Sequence, residues 1–123
     1  MEIGKLIYIK GVFTPLCKEK LSPKLSYKLM KFISKIETEE TFFNKKMQEI
    51  IDTYGEKDED GNFITLDDGI KIKDECKAEC NKALMELHAV EAEAPNITFT
   101  LDELSEVKLS VEDMIVLDEF IKE

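Results

Sequence analysis

The sequence predicts an α+β domain, mostly α. Its frame is a long antiparallel helical hairpin with a small β-hairpin at its tip and a short C-terminal helix. Three observations predict this. Between Ser22 and Tyr54, apolar residues fall at Leu25, Leu29, Phe32, Ile36, Phe43, Met47, Ile50 and Tyr54, at intervals of 4, 3, 4, 7, 4, 3 and 4. That is the period of one helix face. Neither Gly nor Pro interrupts the run from Lys24 to Tyr54. Finally, two short alternating segments flank Asp67-Asp68-Gly69, and a second helical pattern follows them.

Residues 2–9 carry β-branched and aromatic side chains and read as a strand. Thr14-Pro15 reads as an N-cap followed by proline at the first helical position, opening a short helix to Lys20. Ser22-Pro23 repeats the device and opens the long helix. At ~1.5 Å per residue that helix is a rod of roughly 48 Å. Tyr54-Gly55 closes it, glycine taking a left-handed stop.

After the acidic turn Glu56–Asn62, Phe63–Leu66 and Ile70–Ile72 form the β-hairpin. The second helix, Asp74 to about His88, aligns Cys76, Cys80, Ala83, Leu84, Leu87 and His88. It folds back against the second half of the rod. Pro95 breaks the chain, and Ile97–Leu101 reads as a strand. Ser110–Asp113 is a capping box with aspartate in the usual glutamate place. It starts a last helix with Met114, Ile115, Leu117, Phe120 and Ile121.

The length of 123 residues fits a single domain, 1–123. No apolar run approaches the ~20 residues that span a membrane. Leu6-Ile7-Tyr8-Ile9 is too short for a signal peptide, so the chain reads as cytoplasmic with reduced thiols at Cys17, Cys76 and Cys80. In that compartment the Asn96-Ile97-Thr98 sequon carries no weight.

The net charge of −10 is unevenly spread. Residues 1–46 hold ten lysines and five acids; residues 47–123 hold seven lysines and 22 acids. Duplex nucleic acid is repelled by most of such a molecule. All 17 basic residues are lysine, so the bidentate fork with which arginine grips phosphates and base edges is missing.

Residue chemistry offers three constellations. Glu56, Asp58, Asp60, Gly61, Phe63 and Asp67 fall at positions 1, 3, 5, 6, 8 and 12 of a calcium loop. Glu at the first position, Ile64 at the ninth and Asp at the last depart from it, and the expectation is a solvated turn with no metal. Cys76, Cys80 and His88 share a helix face, but small core residues explain the cysteines better than zinc or a Cys–His nucleophile does. Lys24, Lys28, Lys31 and Lys35 recur at intervals of 4, 3 and 4, with Tyr27 on their flank. Such a stripe is ordinarily a solvent face. It is still the best candidate binding surface, since ammoniums at this spacing near a helix N-terminus suit phosphate oxygens. There is no phosphate-cradling glycine loop, no catalytic pair and no cofactor motif, so the chain reads as non-enzymatic.

Residues 20–62 run Lys-Leu-Ser-Pro-Lys-Leu-Ser-Tyr-Lys-Leu into the long helix and leave it through Ile-Asp-Thr-Tyr-Gly-Glu-Lys-Asp-Glu-Asp-Gly-Asn. This pattern resembles a family of short phage and prophage proteins of low-GC Gram-positive bacteria, a domain of unknown function. The later Leu-Ser-Val-Glu-Asp helix is similar in layout. The resemblance implies a phage origin and a cytoplasmic life in an infected host, and brings no catalytic residues. Two function classes follow as expectations. One is a binding protein acting on the host, an anti-defence factor that sequesters a small anionic nucleotide signal or blocks a host protein. The other is a structural or assembly protein of the phage particle. A homo-oligomer is expected, because the second helix covers only about half of the rod. That leaves Leu25, Leu29, Phe32 and Ile36 to the N-terminal segment, the C-terminal helix or another subunit.

Overall fold

The computed structural model describes residues Met1–Lys122. In chain order the elements are α1 (Ile3–Phe13), a 3-10 turn (Thr14–Lys18), α2 (Pro23–Tyr54), β1 (Thr65–Leu66) and β2 (Gly69–Ile70). A 3-10 turn (Asp74–Cys76), α3 (Lys77–His88), β3 (Phe99–Thr100), α4 (Leu101–Leu104), α5 (Val111–Leu117), a 3-10 turn (Asp118–Phe120) and β4 (Ile121–Lys122) complete it. The long helix, the hairpin at its tip and the short C-terminal helices agree with the sequence reading.

α2 begins as expected. Ser22 Oγ accepts from Leu25 N at 3.3 Å, and Pro23 stands in the first turn. Its end differs from expectation. Gly55 is extended, with φ −69° and ψ 139°, and not left-handed. Glycine is needed there for closeness instead: a Cβ would lie 2.6 Å from Ile51 O and 2.8 Å from the Phe63 ring. The chain turns so tightly off the helix that only a residue without a side chain fits.

The hairpin hangs from this end of α2. Glu56 N donates to Lys71 O and Lys73 N donates to Tyr54 O, at 2.8 and 3.0 Å. Thr65 pairs with Ile70 and Leu66 with Gly69, antiparallel, and Gly69 takes the positive φ of 127° that the tight turn requires. α3 then runs back along α2. One end lies near Tyr54, and at the other the His88 ring meets the Phe43 ring edge-on at 5.1 Å.

Residues 2–9 are not a strand. Read at helical period, Ile3, Leu6, Ile9 and Phe13 form one stripe, and all four are fully buried in α1. Period decides over β-propensity here, because a strand would place Lys5 on the same face as Ile3, Ile7 and Ile9. The turn after α1 is a single 3-10 stretch ending at Lys18. Thr14 continues out of α1, its hydroxyl donating to Lys10 O, so it does not cap a new helix.

The expected strand at Ile97–Leu101 shrinks to Phe99–Thr100, because Thr100 caps α4 in a box with Glu103. β3 pairs in parallel with β4, Phe99 opposite Ile121. The box at Ser110 and Asp113 holds as expected, but α5 stops at Leu117, leaving Phe120 in a 3-10 turn and Ile121 in β4.

The core sits on the first half of α2. Phe13, Phe32, Phe99 and Phe120, from four different elements, form an aromatic cluster. Phe32 lies at its centre, 4.9–5.5 Å from each of the other three ring centroids. Leu25, Leu29, Phe32 and Ile36 are therefore covered by α1, β3 and the C-terminal segment of the same chain. The apolar stripe no longer calls for a second subunit. The gap in that stripe has a purpose too. Glu40 receives Lys10 of α1 at 2.6 Å, and this bond raises the Lys10 pKa and ties the two helices together.

Candidate functional site

The lysine stripe folds into one wall of a groove. Lys24, Tyr27, Lys28 and Lys31 of α2 face Asn96, Ile97 and Thr98 of the extended segment that leads into β3. The groove encloses about 440 Å³. Pro95, buried just before it, anchors the start of this segment. Lys35 stands further along α2, in an adjoining groove with Glu39, Glu93 and Asn96. Four of the five residues singled out from sequence thus share one site, and the fifth borders it.

The four cations are not equivalent. Among the described residues, Lys24, Lys31 and Lys35 form no ion pair. Lys31 Nζ lies 5.1 Å from the Tyr27 ring centroid, and that ring is itself exposed. Lys28 is committed. Its Nζ donates to Glu103 Oε1 at 2.8 Å and stands 5.3 Å from the Phe99 ring centroid. The same carboxylate oxygen accepts Thr100 N at 2.9 Å. The bond from Lys28, then the backbone N–H of Thr100, hold the Glu103 carboxyl at a pKa of about 2.

The N-terminus of α2 does not add its dipole to this groove. Glu106 already occupies it: Ser22 N donates to Glu106 Oε1 at 2.8 Å and Ser22 Oγ to Oε2 at 2.6 Å. These two bonds lower the Glu106 pKa. An internal carboxylate therefore sits where a phosphate was expected to find help.

The sequence reading passed over Asn96, Thr98, Glu103 and Glu106. A signal existed for one of them. Thr100-Leu101-Asp102-Glu103 is a capping-box spacing, hidden because Ile97–Leu101 reads as a strand. Nothing local marks Glu106, which meets Ser22 across 84 residues.

The other constellations do not assemble. In the calcium-like loop, Asp58 Oδ1 accepts the backbone N–H groups of Asp60 and Asn62, and Glu56 pairs with Lys71 at 2.9 Å. Cys80 is buried, which raises its thiol pKa, while Cys17 is exposed in the turn after α1. His88 Nδ1 donates to Leu84 O at 2.7 Å. Among the described residues, no three His, Cys, Asp or Glu side chains gather as metal ligands.

A second groove of about 290 Å³ follows another side of α2, with Leu16, Leu21, Leu29, Met30 and Ile33 in its wall. Met30 was not in the apolar stripe read from sequence; it is exposed at this groove. Among the described residues, no helix is long and apolar enough to cross a membrane.

The chain matches no protein-family model, no curated protein and no solved structure.

Proposed function

We propose that this chain is a non-enzymatic binding protein, encoded by a phage and acting in the host cytoplasm, whose ligand is a small anionic nucleotide. The observation that carries the reading is the groove in which two unpaired ammoniums, Lys24 and Lys31, flank the exposed Tyr27 ring opposite Asn96 and Thr98. The ammoniums suit a phosphate, the ring suits a stacked base, and the amide and hydroxyl suit base or sugar edges. The phage origin rests on the likeness of residues 20–62 and on the arginine-free, lysine-rich composition.

Magnitudes set the expected affinity. An ammonium near water contributes about 1 kcal/mol at contact distance, and a stacked base about 1–3 kcal/mol. Together they support a dissociation constant in roughly the millimolar range. Sequestering a scarce signal needs more, from Lys28, from Lys35 or from a second copy closing the groove.

An NMR titration with purine and pyrimidine nucleotides tests the reading. Amide shifts are expected at Lys24–Lys31 and Asn96–Thr98. At ten times its dissociation constant, the ligand raises stability by about 1.4 kcal/mol. Joint replacement of Lys24, Lys28, Lys31 and Lys35 by glutamine abolishes both effects. No shift with any nucleotide sinks the assignment. Abundance of the chain in purified virions would instead favour the structural role, and a host protein co-purifying without nucleotide would favour blocking.

A further inference from the structure

We propose that Glu103 is the resident anion of the lysine groove, and that a phosphate-bearing ligand takes Lys28 from it. The proposal rests on the nucleotide-groove reading above and assigns the groove its regulating residue.

Lys28 lies in the middle of the stripe, one turn from both Lys24 and Lys31. Among the described residues, it alone of the groove's lysines is held by a carboxylate. That carboxylate is unevenly used. Oε1 accepts both Lys28 Nζ at 2.8 Å and Thr100 N at 2.9 Å, whereas Oε2 is shut off from solvent and has no hydrogen-bond partner among the described residues. Glu103 also has work that does not depend on Lys28. It closes the capping box at the start of α4, where Thr100 Oγ1 accepts Glu103 N at 3.1 Å. Losing Lys28 therefore leaves the cap in place and removes one charge-assisted bond.

The exchange has a defined ligand chemistry. A phosphate monoester lying between Lys24 and Lys31 offers Lys28 an anion of higher charge than one carboxylate. When Lys28 turns to it, three ammoniums hold the phosphate instead of two. A neutral or singly charged ligand has no such advantage over Glu103. The groove is thereby graded by the charge of its occupant.

The test measures binding of adenosine monophosphate and of inorganic phosphate by titration. Glu103→Gln keeps a side chain able to accept in the capping box and removes the competing charge. It is expected to bind adenosine monophosphate about tenfold tighter, a charge-assisted bond's worth. Lys28→Gln alone is expected to weaken adenosine monophosphate binding several-fold, because it removes the third ammonium and leaves the Glu103 carboxylate uncompensated, and in the Glu103→Gln background to erase most of the gain. Glu39→Gln, which removes a carboxylate from the adjoining groove, controls for net charge. In the unaltered protein, the Glu103 carboxyl carbon resonance shifts as phosphate saturates the groove, so the proposal stands or falls even if a variant misfolds. Binding without that shift, or an equal gain from Glu39→Gln, overturns the role of Glu103 while leaving the groove reading intact. No binding by either the unaltered protein or Glu103→Gln overturns both.

Discussion

Leu25, Leu29, Phe32 and Ile36 in the first half of α2 follow at intervals of 4, 3 and 4, and so do Phe43, Met47, Ile50 and Tyr54 in the second half. The first four are at most 6% exposed. Of the second four only Phe43 is buried, and the rest are half-buried. The rhythm is the same and the cover is not. The first half lies between α1 on one side and β3 with the C-terminal segment on another, so its stripe meets three large aromatic rings. The second half meets α3, whose buried side chains are Cys80 and Leu87, and the short hairpin. Amphipathic period tells which face of a helix turns inward; the volume brought against that face decides how deep it lies.

The largest expected effect follows from this contrast. Phe32→Ala empties the centre of the aromatic cluster and should cost about 3–5 kcal/mol in urea unfolding. Met47→Ala, on the same stripe in the second half, should cost only roughly 1–2 kcal/mol, because the site is half open and its neighbours can settle. Equal losses would break the comparison.

Gly55 sharpens it at the other end. Gly55→Ala forces a methyl group against Ile51 O and the Phe63 ring, so the hairpin must move off α2. A loss of about 1–3 kcal/mol is expected. Hydrogen exchange should speed up in residues 56–72 while α1 and the first half of α2 keep their protection. Spread of the effect into α1 would mean that the two halves are more tightly coupled than their packing suggests.

Ser22 gives a smaller effect on the first half. Its hydroxyl accepts from Leu25 N and donates to Glu106, so Ser22→Ala removes a cap and one side of a carboxylate clasp. About 1 kcal/mol is expected, read as a drop in melting temperature. Glu106→Gln, which can still accept, should lose less.

The same contrast explains what could be read from sequence. α2, its Ser22 cap, the hairpin turn and the box at Ser110 are legible because each rests on local pattern. α1 reads as a strand because Ile7, Tyr8 and Ile9 favour strands and mask the helical spacing of Ile3, Leu6, Ile9 and Phe13, which burial then makes plain. The cover of Leu25 to Ile36 was illegible for a related reason. It comes from residues as far as 88 positions away, such as Phe120 against Phe32, and no local signal joins them. The candidate groove was half legible. One wall is a helix face with a countable period, while the other is the irregular segment Asn96–Thr98, which runs from buried Pro95 to the paired strand β3.

Charge gives the smallest effect and a last division between the halves. On the first half, Lys28 meets Glu103 with side chains 29% and 14% exposed; on the second, Lys46 meets Glu49 at 3.1 Å, both side chains about half open. Glu103 has a folded pKa of about 2 against an ordinary 4.5. A carboxylate held below its unfolded value stabilises above that value, so its contribution is whole above about pH 4.5 and disappears as the pH falls toward 2. After allowance for solvent screening this is about 1 kcal/mol. Glu103→Gln should therefore be about that much less stable at neutral pH, and its acid unfolding should be flatter between pH 4.5 and 2 than that of the unaltered protein. Glu49→Gln should stay within about 0.5 kcal/mol of the parent at neutral pH, because an exposed pair gains little beyond what water already gives. If Glu49→Gln proved as costly as Glu103→Gln, shielding by the β3–α4 segment would not be what sets the first half of α2 apart.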